Sequence, residues 1–267
     1  MIRLQINPQF AQLLQANRLD TYQHIIQTPA GELIEDNESR DVRRLHLDDQ
    51  VVYLKRTKSE KITSAFESYA RLRLAHSKPF KEMLHYKQLA KYGFDVAEVV
   101  AVGEELNYCI PHCGFIITAE AEGEDLSRVY KNAGEADQHL ILAQFGELLG
   151  RLHNQGFFGS TRLKDIIYSG KPNASPKLTL IDRETRNPYP KAPSRTDIVE
   201  RLLVNTRRQA QAGERFSKDQ WQAFCEAYCG ALSNGHSISV AQLLQKVLAV
   251  ADRYRRSDPS GHINSSP

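Results

Sequence analysis

Hydrophobic and polar positions change rhythm several times along the chain. From Gly31 to Arg56 they alternate: GELIE, VRRLHL and VVYLKR are short runs separated by polar stretches. Period-two alternation predicts half-buried strands. Asp48-Asp49-Gln50 suits a hairpin connection, and Asp36-Asn37-Glu38-Ser39-Arg40 is a second polar turn, so the segment reads as a three-strand meander. Residues 8–16 suit a short leading helix. Two further helices are expected at about 60–75 and 79–92; the second has Pro79 in its first turn and Gly93 past its end, the usual asymmetry. Residues 95–103 and 113–119 return to strand character, FIIT being short, apolar and β-branched.

After Gly123 the period lengthens. Ile141, Phe145, Leu148, Leu149 and Leu152 recur at helical spacing and predict a helix ending at Gly156. KLTLID at 177–182 reads as a strand. Ser194, with Asp197 three residues later, opens another helix in the manner of a capping box. Helices are expected at 217–232 and 239–255, and the polar end, SDPSGHINSSP, as a disordered tail. The whole is an α+β chain with a sheet-rich first half and a helical second half. A cleft between two such lobes is where a site is expected.

Composition narrows the class. The 267 residues carry a net charge of only +3, with the basic residues dispersed, which argues against nucleic acid as partner. No stretch approaches the roughly 20 apolar residues that span a bilayer, and the start, MIRLQINPQFAQLL, does not read as a secretory signal. Cytoplasm is the expected compartment. The cysteines fall as Cys109-x3-Cys113 and Cys225-x3-Cys229; they read as buried or incidental thiols, a zinc site with His112 being the alternative.

Three residues carry candidate chemistry. Lys55 closes the apolar strand VVYLKR, where protein kinases hold nucleotide phosphates with a lysine paired to a helix glutamate. Glu82, 27 residues on, lies near the start of a helix that can face the sheet. Asp182 follows Leu178, Leu180 and Ile181 at the end of a strand, a place suited to a carboxylate that binds Mg²⁺. Each taken alone also reads as ordinary surface chemistry: a solvated lysine, an exposed helix glutamate, a turn aspartate.

Taken in order, the segments AGELIEDNESRDVRRLHLDDQVVYLKR, FESYARLRLAHSKPFKEMLHYKQLAKYGFDVAEVVAVGEE, FIITAEAEGEDL, LHNQGFF and LTLID resemble the lipopolysaccharide core heptose kinase family over roughly residues 30–205. The resemblance implies a two-lobed protein kinase-like fold: a nucleotide-binding lobe at 1–117, a hinge at 118–122, a helical lobe at 123–255 and a tail at 256–267. It implies ATP and magnesium, with Lys55 on the phosphates, Glu82 as its partner, Asp182 on the metal and the backbone around Thr118–Glu120 against adenine. Asp197 matches an aspartate that supports the catalytic loop. The acceptor it implies is a sugar, heptose, of the lipopolysaccharide core, reached by peripheral contact at the inner face of the inner membrane, where Arg43, Arg44, Arg162 and Lys164 are candidates to meet acceptor phosphates.

Two departures stand out. The nucleotide loop Asp36–Arg40 has no glycine, and Glu38 brings an anion to it. The catalytic loop, Gly159 to Ile166, has Thr161 where the resemblance expects a base aspartate and Ile166 where it expects an amide or imidazole; Asp165 is the nearest carboxylate. The sequence thus supports an ATP-dependent sugar kinase with an atypical loop. A degenerate kinase-like protein that binds nucleotide or glycolipid is the second reading, and a generic small-molecule kinase the third.

Overall fold

The computed structural model describes residues 1–60 and 75–255, so most of the expected 60–75 helix and the expected tail lie outside the described residues. The chain divides into two compact units, Met1–Glu122 with Thr179–Tyr189, and Gly123–Leu178 with Pro190–Pro267.

The first unit is built on a six-stranded sheet. Its strands are β1 (Ile2–Ile6), β2 (Glu32–Asp36), β3 (Arg40–Leu47), β4 (Gln50–Thr57), β5 (Val99–Asn107) and β6 (Ile110–Ala119), in the spatial order β1-β5-β6-β4-β3-β2 and antiparallel throughout. The β3–β4 connection is the hairpin expected from Asp48-Asp49, with Leu47 opposite Gln50 and Asp48 at φ 53°, a left-handed conformation that aspartate tolerates. Alternation sends Leu45, Val52, Leu54, Phe115 and Ile117 to one face, where Phe10, Leu14, Tyr22 and Ile25 cover them. Each such fully buried side chain contributes about 1.5–3 kcal/mol. The opposite face takes the Lys78–Lys91 helix through Phe80, Met83 and Tyr86, packed with Val102 and Ile116.

That helix forms where its signals predict. Ser77 caps it, accepting from the Phe80 N–H, and Pro79 lies in its first turn. It stops before Gly93, whose φ of 78° glycine adopts without strain. Its entry is tied to the sheet by buried Glu104, which accepts from the Ser77 N–H (2.8 Å), Arg3 (3.0 Å) and His76 (2.9 Å). On the other face, buried Arg56 pairs with Asp41 directly opposite it. It also donates to the carbonyls of Ile26 and Thr28, anchoring the end of the Tyr22–Gln27 helix.

The second unit is mainly helical: Leu126–Asn132, Glu135–Asn154, Arg195–Gln211, Lys218–Gly230 and Val240–Arg255. The apolar stripe Ile141, Phe145, Leu148, Leu149 and Leu152 is buried, as its spacing predicts. Gly146 lets the Lys218–Gly230 backbone approach so closely that a Cβ there would lie 2.3 Å from the Phe224 carbonyl oxygen. Strand β7 (Glu124–Asp125) pairs with β8 (Ile166–Ser169), and β9 (Lys177–Leu180) lies beside β8. Cys225 and Cys229 lie in the Lys218–Gly230 helix; burial pushes the Cys225 thiol up to about 12, so it is held protonated. Among the described residues, no group of three or more histidine, cysteine or acidic side chains is placed to hold a metal, and no helix is long and apolar enough to cross a membrane.

Candidate active site

Alternation along β4 decides where Lys55 points. Val52 and Leu54 face one core, so Lys55 faces the other side, toward the Lys78–Lys91 helix. Glu82 sits one turn into that helix, and its two carboxylate oxygens each accept from Lys55 Nζ at 3.1 Å. The glutamate is 2% exposed. Its Oε1 also accepts from Tyr86 Oη (3.2 Å), four residues along the same helix face, and from the backbone N–H of Arg183 (3.1 Å).

The third member comes from the segment after β9. Leu180 is bridged to Val96, donates to the Asp95 carbonyl and accepts from the Ala97 N–H. This places Asp182 so that its Oδ1 lies 2.5 Å from Lys55 Nζ. Asp182 adopts φ 50° and is half exposed, with a side chain 41% accessible. Burial opposes the charge on Lys55, but the attraction of Glu82 and Asp182 outweighs it and holds the ammonium well above the usual lysine range. The segment continues across the helix: Arg183 is buried, Glu184 pairs with Lys78 (3.4 Å) and Arg40 (3.3 Å), and the Pro188 carbonyl accepts from His85 Nδ1 (3.0 Å).

His85 carries a consequence of that packing. Burial, reinforced by the Arg183 charge, lowers its pKa to about 4. The folded value lies below the unfolded one, so the stabilisation is complete above about 6.5 and is lost as pH falls through 4. Over that window the native state is expected to lose roughly 3 kcal/mol through this group. Urea denaturation at pH 7 and pH 4.5 should show a smaller acid loss in His85→Gln than in the wild type; equal losses would place the acid sensitivity elsewhere.

The remaining sequence-predicted residues are placed as follows. Thr118 lies in β6, opposite Tyr53 of β4 and Val99 of β5. Glu120 accepts from Arg44 (3.1 Å) and Tyr53 Oη (2.9 Å) through its carboxylate. The N–H groups of Ala119 and Glu120 already donate to the Glu98 and Val51 carbonyls, so these two amides are occupied by the sheet and are not available to a base. Arg43 is engaged by the Pro29 carbonyl and Asp41.

In the second unit, Thr161 is buried, only 1% exposed. Asp165 is buried as well, and both its oxygens are held by Arg162: Oδ2 by the backbone N–H (2.9 Å) and Nε (3.1 Å), Oδ1 by NH2 (3.0 Å). The segment that carries Asp165 is a short 3-10 turn, Leu163–Asp165, closed by this pair. Asp197 accepts from Lys191 (3.0 Å) and from Ser194 Oγ (2.6 Å) at the start of the Arg195–Gln211 helix. Sequence reading did not single out Tyr86 or the Arg183 amide. The four-residue step from Glu82 to Tyr86 was a signal for the first; nothing local marked the second.

A strand lysine, a helix glutamate and an aspartate after a strand, gathered on one sheet face, are the arrangement by which protein kinase-like phosphotransferases hold a nucleotide. The family model described as "Lipopolysaccharide kinase (Kdo/WaaP) family" matches residues 27–228. The chain belongs to that family, whose members are kinases acting on lipopolysaccharide. Among solved structures it is similar to "WaaP in complex with acyl carrier protein", with a TM-score of 0.65 and 15% sequence identity over 95% of this chain and 98% of that one. The fold is therefore protein kinase-like. No curated protein matches the chain in sequence.

Proposed function

We propose that this chain transfers the γ-phosphoryl group of ATP to a hydroxyl of a lipopolysaccharide core sugar, heptose being the acceptor, and that it does so slowly. The observation that carries the reading is the Lys55–Glu82–Asp182 network. Lys55 is held cationic and aimed by two carboxylates, as a phosphate ligand must be. Asp182 offers a half-exposed carboxylate, a hard oxygen donor of the kind Mg²⁺ takes alongside phosphate oxygens. Magnesium bound there would neutralise charge on the phosphates; Lys55, released from Asp182, keeps Glu82 as its support.

Slowness follows from the loop. Kinase catalytic loops place four residues between the base aspartate and the metal-binding amide. In this chain that spacing relates Ser160 to Asp165, or Thr161 to Ile166. The Ser160 hydroxyl, Thr161, Asp165 and Ile166 are all buried, so exposure does not separate the two registers. Either way the base position holds a hydroxyl with no acid–base pKa near neutrality. A general base contributes about 10²–10⁴-fold, and phosphoryl transfer otherwise depends on positioning, so slow turnover remains open to this site. The enzyme would meet its glycolipid at the inner face of the inner membrane by peripheral contact. The Arg162–Asp165 closure favours a second reading, a degenerate family member that binds nucleotide or glycolipid without efficient turnover.

The test is a thermal shift of the full chain with millimolar ATP and Mg²⁺, followed by turnover on dephosphorylated core glycolipid. A magnesium-dependent rise in Tm is expected by mass action. Ser160→Asp should raise turnover about tenfold or more. Ser160→Asp and Thr161→Asp both put a carboxylate in buried surroundings, so the stability of each variant is measured alongside its turnover. No shift at any magnesium concentration would remove the nucleotide reading; a shift without turnover, in wild type and Ser160→Asp alike, would leave the second one.

A further inference from the structure

The β2–β3 turn, which lacks the glycine its place in the fold calls for, shows how the chain manages without one. Asn37 Oδ1 accepts from the N–H groups of Ser39 (3.0 Å) and Arg40 (3.0 Å) and from Ser39 Oγ (3.0 Å). The Asn37 N–H donates to the Arg40 carbonyl (2.9 Å). This is an asparagine-closed turn, and none of residues 36–40 needs a positive φ. The same closure turns the amides of Asn37, Ser39 and Arg40 onto the turn itself. They are not presented to a phosphate, as a glycine-rich loop presents its amides.

The positive charge comes from a side chain. Arg40 is the first residue of β3 and stands opposite Thr57, while Val42 stands opposite Lys55. Residues two apart on a strand, and residues directly opposite across a pair, share a face. Arg40 and Lys55 therefore project from the same side of the sheet, as diagonal neighbours. Lys55 reaches Asp182; Arg40 reaches Glu184, two residues further along the same segment, through NH1 at 3.3 Å. Its Nε and NH2 grip Glu35 in a fork, at 3.0 and 2.9 Å. Three of five guanidinium N–H donors are used in these contacts, leaving two for an incoming oxyanion. Although burial works against it, Glu35, Asp182 and Glu184 hold the guanidinium above its ordinary pKa.

We propose that Arg40 binds the phosphate tail of the nucleotide, supplying as a guanidinium fork what the closed turn withholds as backbone amides. The proposal rests on the nucleotide reading of Lys55 and Asp182. The carboxylate of Glu184 marks the exchange: its contact with Arg40 is longer than either contact with Glu35, and a phosphate oxygen is a planar-fork partner of the same kind. Glu35 then serves as the orienting group, keeping the fork on the Lys55 side of the turn.

Calorimetric titration of the full chain with ATP and with AMP, in Mg²⁺, tests this. Arg40→Gln is expected to weaken ATP binding about tenfold or more while changing AMP binding by no more than about twofold, a loss of about 1.4 kcal/mol confined to the outer phosphates. Arg40→Lys, which keeps the charge without the fork, should fall between. Glu184→Gln, which removes the carboxylate that the phosphate displaces, should not weaken ATP binding. Wild-type ATP affinity in Arg40→Gln would overturn the proposal and leave the nucleotide reading standing. Equal losses for ATP and AMP would overturn it too, showing that Arg40 only shapes the turn. Unchanged ATP affinity with a raised KM for glycolipid would assign the fork to an acceptor phosphate instead. If the wild type binds neither nucleotide, the nucleotide reading itself falls, and this proposal with it.

Discussion

Lys55→Met should abolish magnesium-dependent ATP binding and, separately, cost the fold roughly 3 kcal/mol. The second effect arises because Glu82 is almost fully buried and would lose its cation, keeping only Tyr86 Oη and the Arg183 N–H as donors. A buried carboxylate without a counter-charge is expected to titrate upward. The variant's penalty should therefore be present above the folded pKa of Glu82 and shrink as pH falls through it. In the wild type burial already raises the Glu82 carboxyl, with Lys55 opposing the shift, while Lys55 itself has a raised folded pKa, so its contribution is complete at neutral pH and is lost only as pH climbs beyond the ordinary lysine value of 10.5. Adding Glu82→Gln to Lys55→Met removes the stranded charge. The double variant should recover more than half the lost stability in urea denaturation and none of the ATP binding. Recovery of ATP binding would show that Lys55 only neutralises Glu82 and is not itself the phosphate ligand.

Asp182→Ala is the cleaner separation of function from fold. The side chain is 41% accessible and its ion pair with Lys55 is partly solvated, so little stability rests on it. Its backbone is in the left-handed region, where alanine is less at ease than aspartate, and a loss of about 1 kcal/mol is expected from that alone. ATP affinity in Mg²⁺ should fall on the order of 100-fold, to the value measured in EDTA, a difference of about 2.7 kcal/mol. Calorimetry with and without the metal makes the comparison. A variant whose affinity still depended on magnesium would show that the ion is held elsewhere, and the role proposed for Asp182 would be withdrawn.

Much of the first unit was legible because the relevant signals are local. Alternation along VVYLKR fixes the face of Lys55, and Ser77, Pro79 and Gly93 delimit the helix that carries Glu82. What escaped depends on distant partners. The edge strand β1 is five residues long and pairs with β5 about a hundred residues away. The Tyr22–Gln27 helix is too short and polar to show a periodic face. β5 begins at Val99, later than the expected 95, because residues 95–97 are engaged by Leu180. In the catalytic loop, irregular backbone leaves side-chain direction unreadable: the burial of Thr161 and the capture of Asp165 by Arg162 are outcomes of packing, not of spacing. The absence of glycine between Asp36 and Arg40 was legible, whereas the closure by Asn37 that makes glycine unnecessary was not.

The first compact unit is not continuous in sequence, because Thr179–Tyr189 returns to it after the chain has passed through 123–178. On the ribosome, β4 and the Lys78–Lys91 helix emerge long before Leu180, Asp182 and the Arg183 amide exist to meet them. During that interval Glu82 has Lys55 and Tyr86 but no backbone donor from the later segment, and residues 95–97 lack their partner. Domains generally fold as units, N-terminal first; this one must wait for its eleven-residue return. A fragment ending at 122 would thus hold all six strands of the sheet but lack the Leu180 bridge and the contacts of Asp182 and the Arg183 amide.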